Sequence, residues 1–355
     1  MYDFTCGNDK SGCLMNNAAD KEELNTNRFE SVEHSLISFF KKPIRVFLAA
    51  VYREITNQLR RSESRMLGFL VLRVSLRLAK ILKLQKLPHS LRHIISLAPP
   101  SNPLGGTNLP TIDIAIPCHT KDFDNLPLII QGAKASVSNP IGKIILITPQ
   151  YLSIELQSRF PDCIVSTDES VLGPNLAEII NELVPKERTG WIIQQVIKFR
   201  MAISSEQVAT LILDADTVLL SPRIWLDSEG IQVICIADEY HLPYKKHIRR
   251  VFGGQTQLLS FVTHHQLMQK DFVGEIFGQD GEGLIEWIKL ADFNESSSIC
   301  EYETYGEWMV KHKPNQIVFA KWNNVAAKLN SGNSSYAEIV EAYSKYSSVS
   351  NHSYL

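Results

Sequence analysis

The 355-residue chain has six cysteines but no close pair among them. Cys6, Cys13, Cys118, Cys163, Cys235 and Cys300 are scattered, which excludes a disulfide scaffold and a cysteine-built zinc site and predicts reduced, mostly buried thiols. Long apolar runs are missing too: the uncharged stretches 46–52 and 66–72 fall far short of the ~20 residues that cross a bilayer. The start of the chain, with Asp3, Asn8, Asp9 and Lys10, lacks the basic-then-apolar order of a secretory signal. A cytoplasmic protein is expected, touching lipid only peripherally at the inner membrane face. No internal repeat and no nucleic-acid module is visible, so nucleic acid is not an expected partner.

What remains is ordinary globular material, 44% apolar and 21% charged, of a length that suits one large core plus an appendage. Residues 1–27 are polar and mixed and read as a poorly ordered leader. Residues 28–98 read as a basic amphipathic helical segment. There Leu67, Leu70, Val71, Val74, Leu78 and Ile81 recur at helical spacing, and between 41 and 92 only Glu54 and Glu63 oppose many Lys and Arg. Such a segment either packs on the main domain or lies on anionic lipid through residues 41–92. The Pro- and Gly-rich stretch 98–106 marks the boundary. A catalytic domain over 107–330 follows, then a polar tail over 331–355.

Past the boundary, strands alternate with helices, the pattern of an α/β fold with a mixed, mostly parallel sheet flanked by helices. Strands are predicted at 111–117, 143–148, 163–166, 209–213, 231–237 and 257–262. Helices are predicted at 126–138, 190–204, 282–291 and 304–311.

The strand 209–213 runs directly into Asp214-Ala-Asp216. An Asp-x-Asp occurs about once by chance in a chain of this size. Here, however, the two carboxylates end a buried strand at the edge where open α/β sheets hold their ligands, and a second apolar run follows. Two anions beside apolar strands are unfavourable unless something positive lies between them, and a divalent cation with hard oxygen ligands, Mg²⁺ or Mn²⁺, answers that need. The plain alternative is a pair of turn aspartates closing a core strand.

Residues 211–220 resemble the Asp-x-Asp strand of GT-A glycosyltransferases, and residues 110–325 resemble a bacterial family of such proteins. The resemblance leaves out the first hundred residues. It implies a Rossmann-like GT-A fold, a nucleotide-sugar donor such as a UDP-sugar, and a manganese or magnesium ion bridging Asp214 and Asp216 to the diphosphate. It also implies that His119, Thr120, Lys121 and Asp122, in the loop after the first strand, contact the nucleotide. That loop has no Gly-x-Gly-x-x-Gly, nor the Gly-rich signature of sugar-phosphate nucleotidyltransferases.

Further candidates lie along the chain. Gln194 and Lys198 are four apart on a predicted helix, hence on one face, and could reach the donor or its diphosphate. A solvated polar face is the alternative. His264 and His265 are neighbours after the predicted strand at 257–262. The resemblance implies that a downstream histidine completes the metal shell; since adjacent side chains on a strand face opposite ways, at most one joins it, His264 being the first choice and His265 the second, and a core histidine satisfied by backbone is the alternative. In inverting members of the resembled class a carboxylate at such a helix start takes the acceptor hydroxyl's proton, which implies that role for Glu301 or Glu303, with Tyr302 or Tyr305 stacking on a sugar. Carboxylates merely favouring a helix N-terminus are the alternative. Asp238 and Glu239 are weaker acceptor-side candidates. The reading is a glycosyltransferase acting on a glycan or lipid-linked acceptor, as in polysaccharide biosynthesis. Its alternative is a nucleotide-sugar-binding or nucleotidyltransferase-like protein without glycosyl transfer.

Overall fold

A strand apolar on both sides persists only where both faces are covered, and Ile112–Pro117 and Ala209–Leu213 are buried at every position. The computed structural model describes residues 104–351 apart from 238–240, 255, 258–259, 296 and 330–333. The expected leader, the basic helical segment with its lipid contact, and Asp238 and Glu239 lie outside the described residues.

In chain order, β1 (Ile112–Pro117) leads to α1 (Leu126–Ser136), and β2 (Ile141–Thr148) returns parallel to β1. Next come α2 (Gln150–Arg159), β3 (Ile164–Thr167), α3 (Asp168–Leu172), α4 (Pro174–Leu183), the long α5 (Lys186–Ser204) and β4 (Ala209–Leu213). They are followed by β5 (Thr217–Leu219), β6 (Gln232–Ile236), α6 (Leu242–Phe252), β7 (His265–Gln269), α7 (Lys270–Phe277) and α8 (Gly283–Lys289). The last are α9 (Glu301–His312), β8 (Ile317–Lys321), β9 (Asn324–Ala326), α10 (Tyr336–Ala342) and β10 (Ser348–Ser350).

The main sheet has the order β3-β2-β1-β4-β7, parallel throughout except that β7 pairs antiparallel with β4. This is the mixed, mostly parallel α/β architecture expected. The chain steps outward from β1 through β2 to β3 and then returns to the other flank of β1 at β4. That reversal opens a crevice between the carboxyl ends of β1 and β4, the place where open α/β sheets bind ligands. Two smaller sheets, β5-β10-β9 and β6-β8, lie beyond it in sequence.

One face of the main sheet carries Ile112, Ile114, Leu211 and Leu213 in an apolar cluster with Leu126, Ile129 and Ala133 of α1. Helix α1 approaches β5 so closely that a Cβ at Gly132 would stand 2.7 Å from the Leu219 carbonyl oxygen. Helix α5 buries Ile192, Val196 and Phe199, and Phe199 meets Phe277 at 4.7 Å and Trp287 at 5.5 Å between ring centroids. The described cysteines, Cys118, Cys163, Cys235 and Cys300, are buried and unbridged, as read.

Three expectations shift. Of the strand predicted at 257–262 the described residues supply a bridge from Ser260 to Ala237, and a strand lies at His265–Gln269. Pairing with β4 decides this against the stronger β-formers upstream. Helices α5 and α9 begin at Lys186 and Glu301, before the predicted 190 and 304. The supposed tail contains α10 and β10, with Ile339 and Val349 buried.

Candidate metal centre

Where β4 ends, Thr217 N donates to the Asp214 carbonyl at 3.1 Å, and the resulting turn carries the chain through Asp216 into β5. The β4/β7 register pairs Leu213 with His265, so His264 stands opposite Asp214. Asp214 N donates to the His264 carbonyl at 2.9 Å. His264 holds the left-handed φ of 58°, uncommon for a residue with a side chain. Its Nδ1 comes 3.2 Å from Asp214 Oδ2 and 4.0 Å from Asp216 Oδ1. Ligand atoms of Asp214, Asp216 and His264 all fall within 4.8 Å of one another. The three side chains are 17%, 31% and 22% exposed, open enough for a solute to reach.

Of the two adjacent histidines the structure brings His264, not His265, to the carboxylates. His265 turns inward against Trp225, at 5.4 Å between centroids, and burial drives its pKa down to about 3. Trp322 lies against the other histidine, its ring 5.3 Å from that of His264.

Behind Asp214 stands a buried cation. Lys198, on α5 and 2% exposed, places Nζ 2.6 Å from both Asp214 Oδ1 and Glu301 Oε1. Burial alone would lower the lysine's pKa, but the two carboxylates outweigh it and raise it. Burial likewise pushes Asp214 up, and Lys198 with His264 overrules it, holding the carboxyl well below the usual range. Glu301 is raised, because burial and the Asp214 charge prevail over Lys198. Burial opposes a charged His264, yet the Asp214 hydrogen bond and the charges of Asp214 and Asp216 raise its pKa.

Tyr302 donates its hydroxyl to Asp214 Oδ1 at 2.8 Å, and Lys198 Nζ sits 4.5 Å over its ring. At 2% exposed, the ring is buried and unavailable to stack on a sugar. Tyr305 is fully buried, donating to Gln232 Oε1 and accepting from Gln269 N, and is a core residue. Glu303 turns away from the cluster. It pairs with Lys245 of α6, beside Glu307, and accepts from Phe261 N at 2.9 Å. The helix explains the split, since residues two apart point about 200° apart around it. Gln195, not Gln194, reaches Glu301, accepting from its backbone N–H at 3.3 Å. The adjacent glutamines were visible in the sequence; which one faces α9 depends on the helix phase.

The loop after β1 lies beside this turn because β1 and β4 are paired neighbours. Asp122 Oδ2 accepts from His119 N at 2.9 Å, and burial, with the Asp216 charge as a lesser cause, raises its pKa. His119 Nε2 meets the Tyr151 hydroxyl at 3.0 Å, and its Nδ1 meets Thr120 Oγ1 at 2.9 Å. His119, Thr120 and Lys121 are exposed.

Two carboxylates and an imidazole with ligand atoms within 4.8 Å of one another are spaced to share one coordination sphere and fit a divalent ion. Among the described residues no helix is long and apolar enough to cross a membrane.

No family model matches the chain, and no curated protein matches it. Among solved structures, mouse xyloside xylosyltransferase 1 in its apo form aligns with 69% of this chain and 98% of its own, at 9% identity and a TM-score of 0.39. An active-site mutant of LgtC aligns with 67% and 86%, at 11% identity and a TM-score of 0.39.

Proposed function

We propose that the chain is a GT-A type glycosyltransferase that moves a sugar from a nucleotide-sugar donor, a UDP-sugar in the first instance, to a glycan or lipid-linked acceptor. One observation carries the reading: Asp214, Asp216 and His264 converge at the β1/β4 crevice, with the loop 119–122 alongside. A divalent ion held by these three residues would neutralise the charge that builds on the departing diphosphate. Lys198 and Tyr302 fix Asp214 from behind, so the carboxylate meets its ligand without reorganising. Glu301 acts through Lys198, keeping the ammonium in place. His119, Thr120, Lys121 and Asp122 would meet the nucleotide.

Thermal-shift measurements with UDP- and GDP-sugars, against free nucleoside triphosphates, each with Mn²⁺ or EDTA, test this. A nucleotide sugar or its nucleoside diphosphate should stabilise the protein only with the metal. Stabilisation by triphosphates alone would favour nucleotidyl transfer. A metal-dependent shift without release of free nucleoside diphosphate in the presence of any acceptor would leave a binding protein.

A further inference from the structure

Strand β10 reads Ser348-Val-Ser350, a polar sequence, yet all three residues are 0% exposed. It lies between β5, paired antiparallel, and β9, paired parallel. Its period of two puts Ser348 and Ser350 on one face, and the register sets Ser350 against Thr217. A buried hydroxyl without a partner costs about 1 to 3 kcal/mol, so their partners matter.

Those partners lead to the metal centre. Asn324 Oδ1 accepts from Ser348 Oγ at 2.8 Å and from Ser350 Oγ at 3.2 Å. Ser350 Oγ also lies 2.8 Å from Thr217 Oγ1, and Thr217 Oγ1 donates to Asp216 Oδ1 at 3.0 Å. Thr217 gives its proton to the carboxylate, so at its 2.8 Å contact with Ser350 it accepts, and the single Ser350 proton is shared between Thr217 Oγ1 and the longer contact to Asn324 Oδ1. The next residue fixes the backbone: Asn351 N donates to the Asp216 carbonyl at 2.7 Å, and Asn351 Nδ2 to Asn125 Oδ1, behind the β1 loop, at 3.2 Å.

We propose that Thr217 is a positioning residue for the cation, its hydroxyl holding the Asp216 carboxylate in its ligating rotamer with Ser350 of β10 as support. The inference rests on the proposed cation at Asp216. Hydroxyl groups that orient a ligating carboxylate typically contribute 10- to 100-fold in metal affinity. Lys198 and Tyr302 orient Asp214, and Thr217 does the same for the other carboxylate.

Mn²⁺ alone, titrated into the full chain and followed by electron paramagnetic resonance of the free ion, tests this with no substrate. Thr217→Val keeps shape and removes the donor; its Mn²⁺ affinity should fall about tenfold. Thr217→Ser restores the hydroxyl and should bind like wild type, an outcome that a purely structural role of the side chain would not give. Equal affinity in wild type and Thr217→Val overturns the inference alone, as does a Ser variant as weak as the Val variant. Absence of Mn²⁺ uptake by wild type overturns both this and the function proposed above. Should Thr217→Val not fold, Ser350→Ala substitutes for it: weaker Mn²⁺ binding supports the relay, and unchanged binding overturns it.

Discussion

Lys198 is buried with two carboxylates, and removing it isolates them. Lys198→Met should cost about 3 to 5 kcal/mol, the usual penalty for leaving buried charge unpaired. Glu301→Gln should cost much less, because Lys198 keeps Asp214; urea denaturation of the two variants measures the difference. Asp216→Asn should abolish Mn²⁺-dependent stabilisation while the metal-free melting temperature holds. His247 and His265 give a second residue-level prediction. Burial holds them at about 4 and about 3, below the ordinary 6.5, so only the unfolded chain takes their protons in between. Their contribution is complete above pH 6.5 and is lost as pH falls toward 4 and 3, at up to about 1.4 kcal/mol per pH unit for each histidine. A melting temperature that declines as pH falls below 6.5 would bear this out; a curve flat from pH 6.5 to 5 would contradict it. At this scale the sequence pointed to Asp214 and Asp216, because a buried strand ending in paired acids needs a counter-charge, and the family resemblance pointed to His264; the structure brings the three together. The sequence did not disclose the buried state of Tyr302, Glu303 and Tyr305, which follows from the phase of α9.

Helix α9 joins two regions. Its first turn sends Glu301 to Lys198 and Tyr302 to Asp214, while Glu303 and Glu307 grip Lys245 and the backbone of Gln257 and Phe261. Gly306, in the middle of the helix, lies so close to the Phe261 ring that a Cβ there would overlap it. Gly306→Ala should therefore push α9 outward and destabilise by about 1 to 3 kcal/mol. Because Tyr302 moves with the helix, Mn²⁺ affinity should fall with it; an alanine variant with native melting and native affinity would refute this coupling. Elements with uniform apolar runs, β1, β2 and β4, were legible before the fold was known. Strand β7 was misplaced because its His-Gln-Leu-Met-Gln has few β-branched residues and relies on β4 for its pairing. Strand β10 escaped notice because its serines look like surface residues until β5 and β9 enclose them.

For the whole molecule, the order of the main sheet determines where ligands go. Parallel strands on either side of the β1/β4 reversal direct two loops into one crevice, and the α/β alternation announced that in the sequence. The smaller sheet around β10 could not be foreseen, since its three strands come from 217–219, 324–326 and 348–350. Deleting residues 348–355 should unpair β5 and β9, expose Leu219 and Val325, and raise both protease sensitivity and aggregation. A truncated protein that stays monomeric with native melting would contradict this.

The contacts of Asn351 and Ser350 with the aspartate turn bear on how the protein comes into being. Ribosomes must pass position 351 before that turn acquires its last partners, more than two hundred residues after the first strand is made. Incomplete products and proteolytic fragments ending earlier would therefore be poor chelators, and capture of manganese would report that synthesis and folding had run through this segment.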